Sequence, residues 1–189
     1  MVDYKEDICK YFERVKVVLD SIRKEDLNLL MNLLVEARDR GSFVFVMGNG
    51  GSASTASHYV CDFNKGISYG KDKMFKFICL NDNLPTMMAY ANDISYDEIF
   101  VGPLRNYLSE GDVVIGISGS GNSANVVKAI QYANEHKGIS VGITGFDGGK
   151  VKQLSQYNVH VPIDDMQVAE DLHMVLDHCM MKILSKYLH

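Results

Sequence analysis

The sequence predicts a single α/β domain, residues 1–189, in which a doubly wound, five-stranded parallel sheet carries helices on both faces. Three observations support this prediction. The length of 189 residues suits one domain and leaves little room for two. A hydrophobic fraction of 47% provides for a packed core. Beyond the first 40 residues, short apolar runs alternate with amphipathic stretches, the pattern of strand–helix–strand crossovers.

The leading segment, residues 1–40, predicts a pair of helices. Apolar side chains such as Ile8, Phe12 and Val15 recur there at helical spacing, and the pattern breaks near Arg23-Lys24. Because this pair precedes the strand–helix alternation, we expect it to pack beside the sheet or against another subunit. The doubly wound core then occupies residues 41–189.

The remaining elements follow in order along the chain. Most of the strand candidates are apolar on both faces, as strands covered by helices on each side require. The predicted strands are 43–47, 75–80, 113–117, 140–144 and 159–161. The predicted helices between and after them lie near 53–65, 95–108, 123–136, 148–155 and 165–187.

Composition narrows the classes of function. The net charge of −5 and the scattered lysines and arginines argue against a nucleic-acid partner, because a protein that binds nucleic acid normally carries a basic patch. No run of eighteen apolar residues is present, so no membrane span is predicted. No apolar signal-peptide core follows Met1, and we expect a cytoplasmic protein. The four cysteines lack close pairing and are predicted to be free thiols.

Two loops rich in glycine and serine stand at strand-to-helix junctions. Gly48-Asn49-Gly50-Gly51-Ser52 follows the first strand, and Ser118-Gly119-Ser120-Gly121-Asn122-Ser123 follows the third. Glycines let the backbone approach an anion, hydroxyls donate to its oxygens, and the next helix dipole favours negative charge. The simpler alternative is that the serines are ordinary N-caps and the glycines ordinary turn residues. Two such loops together favour a site for a small anion, and neither carries a nucleotide-binding fingerprint.

A second set of polar residues has the pattern of a metal site. His58 and Asp62 lie four residues apart on a predicted helix and therefore share a face. The last helix carries His and carboxylate residues, namely Glu170, His173, Asp177 and His178. Two imidazoles and carboxylates from two helices are a plausible tetrahedral zinc site. The alternatives are a surface hydrogen bond between His58 and Asp62, and a solvated polar face on the last helix.

These motifs resemble those of the sugar isomerase (SIS) domain, and the resemblance covers essentially the whole chain. It rests on the two loops above and on Thr144-Gly145-x-Asp147-Gly148-Gly149, while the histidines point to the phosphoheptose isomerase branch. The resemblance implies a flavodoxin-like sheet and a homotetramer with active sites between subunits. It also implies substrate-binding positions, among them three serines for the phosphate. These positions are Asn49, Gly50, Gly51, Ser52, Asp62, Asn92, Asp93, Ser118, Gly119, Ser120, Ser123 and Glu170.

The resemblance further implies one zinc ion per subunit, held by His58, Asp62, Glu170 and His178, with Asp62 and His178 as catalytic base and acid. The chain departs from the family pattern at several positions. Asp62 stands where the family usually has Glu, and Glu170 where it usually has Gln. Gly119 replaces a residue that is often Thr, and Val168 replaces an Arg. Two carboxylates in the set favour a divalent cation more strongly than one.

The activity implied is interconversion of sedoheptulose 7-phosphate and D-glycero-D-manno-heptose 7-phosphate through an enediolate. Two alternatives stay open at this point. One is a non-catalytic SIS module similar to the DnaA initiator-associating protein, which would bind a partner. The other is an isomerase for a different sugar phosphate, since nothing in the sequence indicates how many carbon atoms the substrate has.

Overall fold

The computed structural model describes residues 1–188. Its five strands form one parallel sheet in the order β2-β1-β3-β4-β5, so the predicted fold class is confirmed. Each strand lies within three residues of its predicted limits. The strands are β1 (Phe43–Gly48), β2 (Lys76–Cys79), β3 (Val113–Ser118), β4 (Ile139–Thr144) and β5 (Tyr157–His160).

Eight α-helices surround the sheet, and they divide between its two faces. The helices are α1 (Lys5–Ser21), α2 (Lys24–Arg40), α3 (Gly51–Cys61), α4 (Leu84–Asp93), α5 (Val101–Tyr107), α6 (Ala124–Glu135), α7 (Gly149–Leu154) and α8 (Met166–Tyr187). Apolar side chains of α1, α2, α3 and α8 build the core on one face. Those of α5, α6 and α7 build the core on the other. No helix within residues 1–188 is long and apolar enough to cross a membrane.

The predicted N-terminal helical pair exists and packs on the domain itself. It breaks at Ile22-Arg23, where Ile22 has extended backbone and a buried side chain. Helix α2 lies over β5 and β1, and α1 lies against α8. The pair therefore belongs to the core, although much of the apolar surface of α1 stays exposed.

Helix α4 was not predicted. Asn83 caps it by accepting a hydrogen bond from the Thr86 backbone N–H, and Pro85 occupies its first turn. None of its residues is buried. Met87 and Tyr90 pack partly buried against the core, and two such positions are too short a periodic pattern to reveal the helix from sequence.

The predicted helix at 53–65 is in fact two structures. Helix α3 ends at Cys61 and continues as a wider π-helical turn, Asp62–Ile67. Within this turn Phe63 is buried and stacks on Phe77, with ring centroids 4.2 Å apart, and Asn64 exchanges two hydrogen bonds with the Phe77 backbone. These tertiary contacts hold a conformation that no local propensity favours. Asp62 is its first residue.

Candidate active site

The glycine loop after β1 and the serine loop after β3 meet at the carboxyl edge of the sheet. Strands β1 and β3 are direct neighbours, and the strand order reverses at this point, where open α/β sheets form their binding crevice. The two loops line one cavity of about 260 Å³, called here the serine-loop cavity. Its lining residues are Asn49, Gly50, Gly51, Ser52, Ile117, Ser118, Gly119, Ser120, Ser123, Met166 and Glu170.

Hydrogen bonds within the serine loop shape it before any ligand binds. The Gly121 backbone N–H donates to Ser118 Oγ at 3.1 Å, and the Oγ atoms of Ser118 and Ser123 are 3.3 Å apart. Ser120 Oγ accepts from the Asn122 N–H at 3.2 Å. Hydroxyls and the N-terminus of α6 therefore converge on one spot, an arrangement suited to an anion.

Residues 144–151 brace the serine loop from outside. The Gly145 N–H donates to the Gly119 carbonyl and the Val151 N–H to the Gly121 carbonyl, each at 2.9 Å. Gly121 has φ of +66°, and a Cβ there would overlap the Gly148 carbonyl oxygen. Only glycine fits this position, because the backbone is left-handed and the neighbouring chain passes too close for a side chain.

The glycine loop is also built on backbone geometry. Gly50 has φ of +55°, and a Cβ on Gly48 would lie 2.6 Å from the Ser52 carbonyl oxygen. The amide of Asn49 exchanges two hydrogen bonds with the buried Asn125 amide, at 2.9 and 3.0 Å, and accepts a third from Tyr96 Oη. Asn125 and Tyr96 were not predicted. A buried Asn among the apolar residues of α6 is the signal that could have revealed the first.

Glu170 lies in the serine-loop cavity. Its half-buried carboxylate covers Gly51 so closely that a Cβ on Gly51 would overlap its oxygens. Gly51 begins α3, and a carboxylate at a helix N-terminus is stabilised by the exposed N–H groups and the dipole. At Gly119, where the family often has Thr, the Met166 side chain occupies the space of the absent side chain.

A second group of residues, called here the His–Asp cluster, lies where α3 and its π-helical continuation contact α8. The Nε2 atoms of His58 and His178 are 3.1 Å apart. Asp62 Oδ2 is 3.7 Å from His58 Nε2 and 3.9 Å from His178 Nε2. The structure thus brings together three of the four predicted metal ligands. The fourth member of the cluster is Asp177, and all four ligand atoms lie within 4.8 Å of one another.

The donor set fits a divalent transition metal. Two imidazole nitrogens and two carboxylate oxygens are borderline ligands of the kind that zinc accepts. Ligand atoms around a tetrahedral zinc lie about 3.3 Å from one another, so small rotations would bring these side chains into place. Inside the cluster, Asp177 is fully buried, and neither of its carboxylate oxygens has a hydrogen-bond partner among residues 1–188. Burial, together with the nearby Asp62 charge, raises the pKa of Asp177 to about 8.

His173 lies in the interior behind the cluster. It is fully buried and its ring nitrogens have no hydrogen-bond partner among the described residues, while its carbonyl accepts from Tyr59 Oη at 3.2 Å. Burial lowers the pKa of His173 to about 4, so its ring is neutral at physiological pH. The structure therefore places His173 in the packed interior, outside the group of possible metal ligands.

One predicted metal ligand lies outside the His–Asp cluster, and two predicted substrate-binding residues lie outside the serine-loop cavity. Glu170 is two helical turns from His178, about 12 Å along α8, and lines the serine-loop cavity instead. Asn92 and Asp93 form the exposed end of α4, where the Asn92 amide donates to Asp93 Oδ1 at 2.8 Å. They do not line the serine-loop cavity within residues 1–188.

The fold and these two groups define a class of protein: an α/β domain that binds an anion at its strand ends beside a cluster of possible metal ligands. The SIS domain family matches residues 10–145. The chain belongs to this family, in its phosphoheptose isomerase branch.

Individual relatives cover nearly the whole chain. The phosphoheptose isomerase of Helicobacter pylori strain ATCC 700392 / 26695 is 31% identical over 183 residues, which is 97% of this chain and 94% of that protein. The phosphoheptose isomerase of Aliarcobacter butzleri is 31% identical over 185 residues, 98% of this chain and 93% of that protein. The structure of phosphoheptose isomerase GmhA from Neisseria gonorrhoeae matches with a TM-score of 0.88 at 26% identity, covering 97% of this chain and all of that one.

Proposed function

We propose that this protein is an aldose–ketose isomerase that interconverts sedoheptulose 7-phosphate and D-glycero-D-manno-heptose 7-phosphate. The observation that carries the proposal is the convergence of His58, Asp62 and His178 beside a preformed anion site in a chain 31% identical to phosphoheptose isomerases. A protein that only binds a partner does not need acidic and basic side chains brought together in this way.

The spacing of the two groups suits a sugar phosphate. Helices α3 and α8 run side by side, with Gly51 against Glu170 near their starts and His58 against His178 further along. Seven residues separate Gly51 from His58, about 10 Å along the helix axis. An extended sugar phosphate of several carbons can bridge this span, with its phosphate in the serine loop and its carbonyl end at the cluster.

The phosphate binds through Ser118, Ser120 and Ser123 and through the N-terminus of α6. Asn49, Gly50, Gly51, Ser52 and Glu170 contact the sugar, and Asn92 and Asp93 hold its hydroxyls from a neighbouring subunit. Binding at this remote end positions the reacting carbons and lowers the entropic part of the barrier.

The chemistry moves one proton between C1 and C2. Asp62 removes the proton bound to carbon, and His178 moves the proton on oxygen as the enediolate forms and collapses. His58, Asp62 and His178 would also hold a zinc ion, one per subunit, and such an ion supplies positive charge beside the developing oxyanion. Asp62 departs from the family pattern in reach, because its side chain is one methylene shorter than that of the Glu usually found at this position.

The assembly proposed is a homotetramer with active sites between subunits. Large apolar side chains of α1, including Ile8, Phe12 and Val17, are at least half exposed. Phe12 lines a surface cavity together with Gly51 and Glu170, so a subunit that covered this face would border the serine-loop cavity. Light scattering coupled to size-exclusion chromatography tests the assembly, and a stable monomer would contradict it.

The activity is tested by incubating the purified protein with sedoheptulose 7-phosphate and zinc and following formation of the aldose by NMR. The expected result is equilibration of ketose and aldose with exchange of one carbon-bound proton for deuterium in D₂O. No product from the heptose, with turnover of another ketose phosphate, would assign the same site to a different sugar.

A further inference from the structure

The geometry points to Asp177 as a ligand of the metal ion, so that the cation site of this chain is His58, Asp62, Asp177 and His178, with Glu170 left to the substrate. The inference deepens the proposed function, since it concerns the ion of that same site. It differs from the family pattern, which would take the fourth ligand from position 170.

The first argument is the state of the Asp177 side chain. It is fully buried on α8, and both carboxylate oxygens lack a partner. A buried carboxylate without hydrogen bonds or a counter-charge is costly, and folded proteins keep one only where something else compensates it. One of its oxygens lies close to ligand atoms of His58, Asp62 and His178, and none of these donates to it. Tyr59 is also nearby, but its hydroxyl donates to the His173 carbonyl.

The second argument is distance. One oxygen of Asp177 lies within 4.8 Å of the ligand atoms of the other three residues, which were selected independently from sequence. Within one subunit, Glu170 lies two turns earlier on the same helix and would need to reach about 12 Å along the axis to join His178 at one ion. Its carboxylate instead packs on Gly51 at the start of α3.

The third argument is charge and reach. Asp62 carries a short arm, and its Oδ2 stands 3.7 to 3.9 Å from the two imidazole nitrogens, which are themselves 3.1 Å apart. The carboxylate of Asp177 on α8 supplies the fourth ligand atom of the group. Two carboxylates and two neutral imidazoles then balance the two positive charges of the ion in a partly buried site.

The test measures metal binding and metal-free stability rather than turnover. Zn²⁺ affinity of the purified, metal-stripped protein is measured by competition with a chromophoric chelator, and the visible spectrum of the Co²⁺-substituted protein reports the ligand set. The variants are Asp177→Asn and Asp177→Leu. The matched control is Asp171→Asn, an exposed carboxylate between one and two turns earlier on α8, and Glu170→Ala, which removes the whole carboxylate group, tests the competing ligand.

The expected result has two parts. Both Asp177 variants weaken Zn²⁺ binding by more than the 10- to 100-fold that loss of an outer-shell partner costs, roughly 100-fold or more, and change the Co²⁺ spectrum. The metal-free Asp177→Leu protein melts at the same temperature as the parent or higher, because an unpartnered buried carboxylate has been removed. Asp171→Asn and Glu170→Ala keep the parent affinity and spectrum.

Three outcomes would overturn the assignment. Unchanged Zn²⁺ affinity in both Asp177 variants, or a moderately weaker affinity with an unchanged Co²⁺ spectrum, would exclude Asp177 from direct contact with the ion. A parent protein that binds neither metal would also overturn it, and isomerase activity measured on that same metal-free protein would show that the proposed function stands without the ion.

Discussion

We propose that the serine-loop cavity and the His–Asp cluster are two halves of one site, and the two are built differently. The cavity is formed by loops that hydrogen-bond to themselves and to residues 144–151, and its serines already have partners. The cluster is formed by side chains from two helices, and its buried member Asp177 has none. A self-satisfied loop holds its shape without a ligand, whereas we propose that a bound cation balances the cluster. We therefore expect changes in the cavity to affect mainly substrate binding and changes in the cluster to affect mainly the chemical step. This expectation can be tested.

The largest effect is expected from changes in the cluster. Asp62→Asn or His178→Gln should lower kcat by about 10²- to 10⁴-fold, the usual contribution of a general base or acid, because neither variant can carry its proton. Affinity for inorganic phosphate should stay largely intact, since the serine loop is untouched. Steady-state kinetics and phosphate titration measure the two quantities.

The control for these variants is His136→Gln, an exposed histidine at the C-terminal end of α6, on the opposite edge of the sheet. It should retain parental kcat. Full activity in both Asp62→Asn and His178→Gln would refute the assignment of base and acid.

The converse change in the cavity should affect binding more than chemistry. Ser120→Ala removes a hydroxyl that faces the phosphate, and a hydrogen bond to a charged group contributes about 1.5–3 kcal/mol, or roughly 10- to 100-fold in KM. We expect kcat to change much less. Ser185→Ala, near the far end of α8, is the matched control, and a fall confined to kcat in Ser120→Ala would contradict the separation of roles.

The rigidity of the serine loop can be measured with a pair of glycine variants. Gly121→Ala should destabilise the fold by about 2 kcal/mol or more, because it combines a left-handed backbone with overlap on the Gly148 carbonyl. Gly111→Ala has φ of +85° but open space around it, and should cost only about 1 kcal/mol. Urea unfolding gives both values, and equal losses would mean that the close approach at Gly121 is unimportant.

The smallest effect concerns pH and the interior behind the cluster. The pKa of His173 is lowered to about 4 from 6.5 by burial. The neutral ring therefore stabilises the fold fully above pH 6.5, and this contribution is lost as the pH falls toward 4. Unfolding midpoints at pH 7, 5.5 and 4.5 should fall more steeply for the parent than for His173→Leu. A parallel fall in the two proteins would show that other groups govern acid sensitivity, and His136→Gln serves as the control.

Much of the molecule could be predicted from local pattern. All five strands, both N-terminal helices and the strand-end positions of the two loops follow from apolar periodicity and from glycine at tight turns. Helix α4 was not predicted because only its partly buried Met87 and Tyr90 pack on the core, which is too short an apolar pattern. The π-helical turn at Asp62 was not predicted because the contact between Phe63 and Phe77 that holds it joins residues distant in sequence.

The sequence by itself determined the sheet and the two strand-end loops, because these depend on apolar periodicity and on backbone turns. A spacing of four placed His58 and Asp62 on one helix face, and the family resemblance added His178. Only the tertiary structure decided which carboxylate of α8 joins them. Glu170 and Asp177 are both plausible ligands in sequence, but they lie two turns apart, so the packing of α8 against α3 directs one to the cavity and the other to the cluster. Residue types define what chemistry is available, and helix packing selects which of them meet.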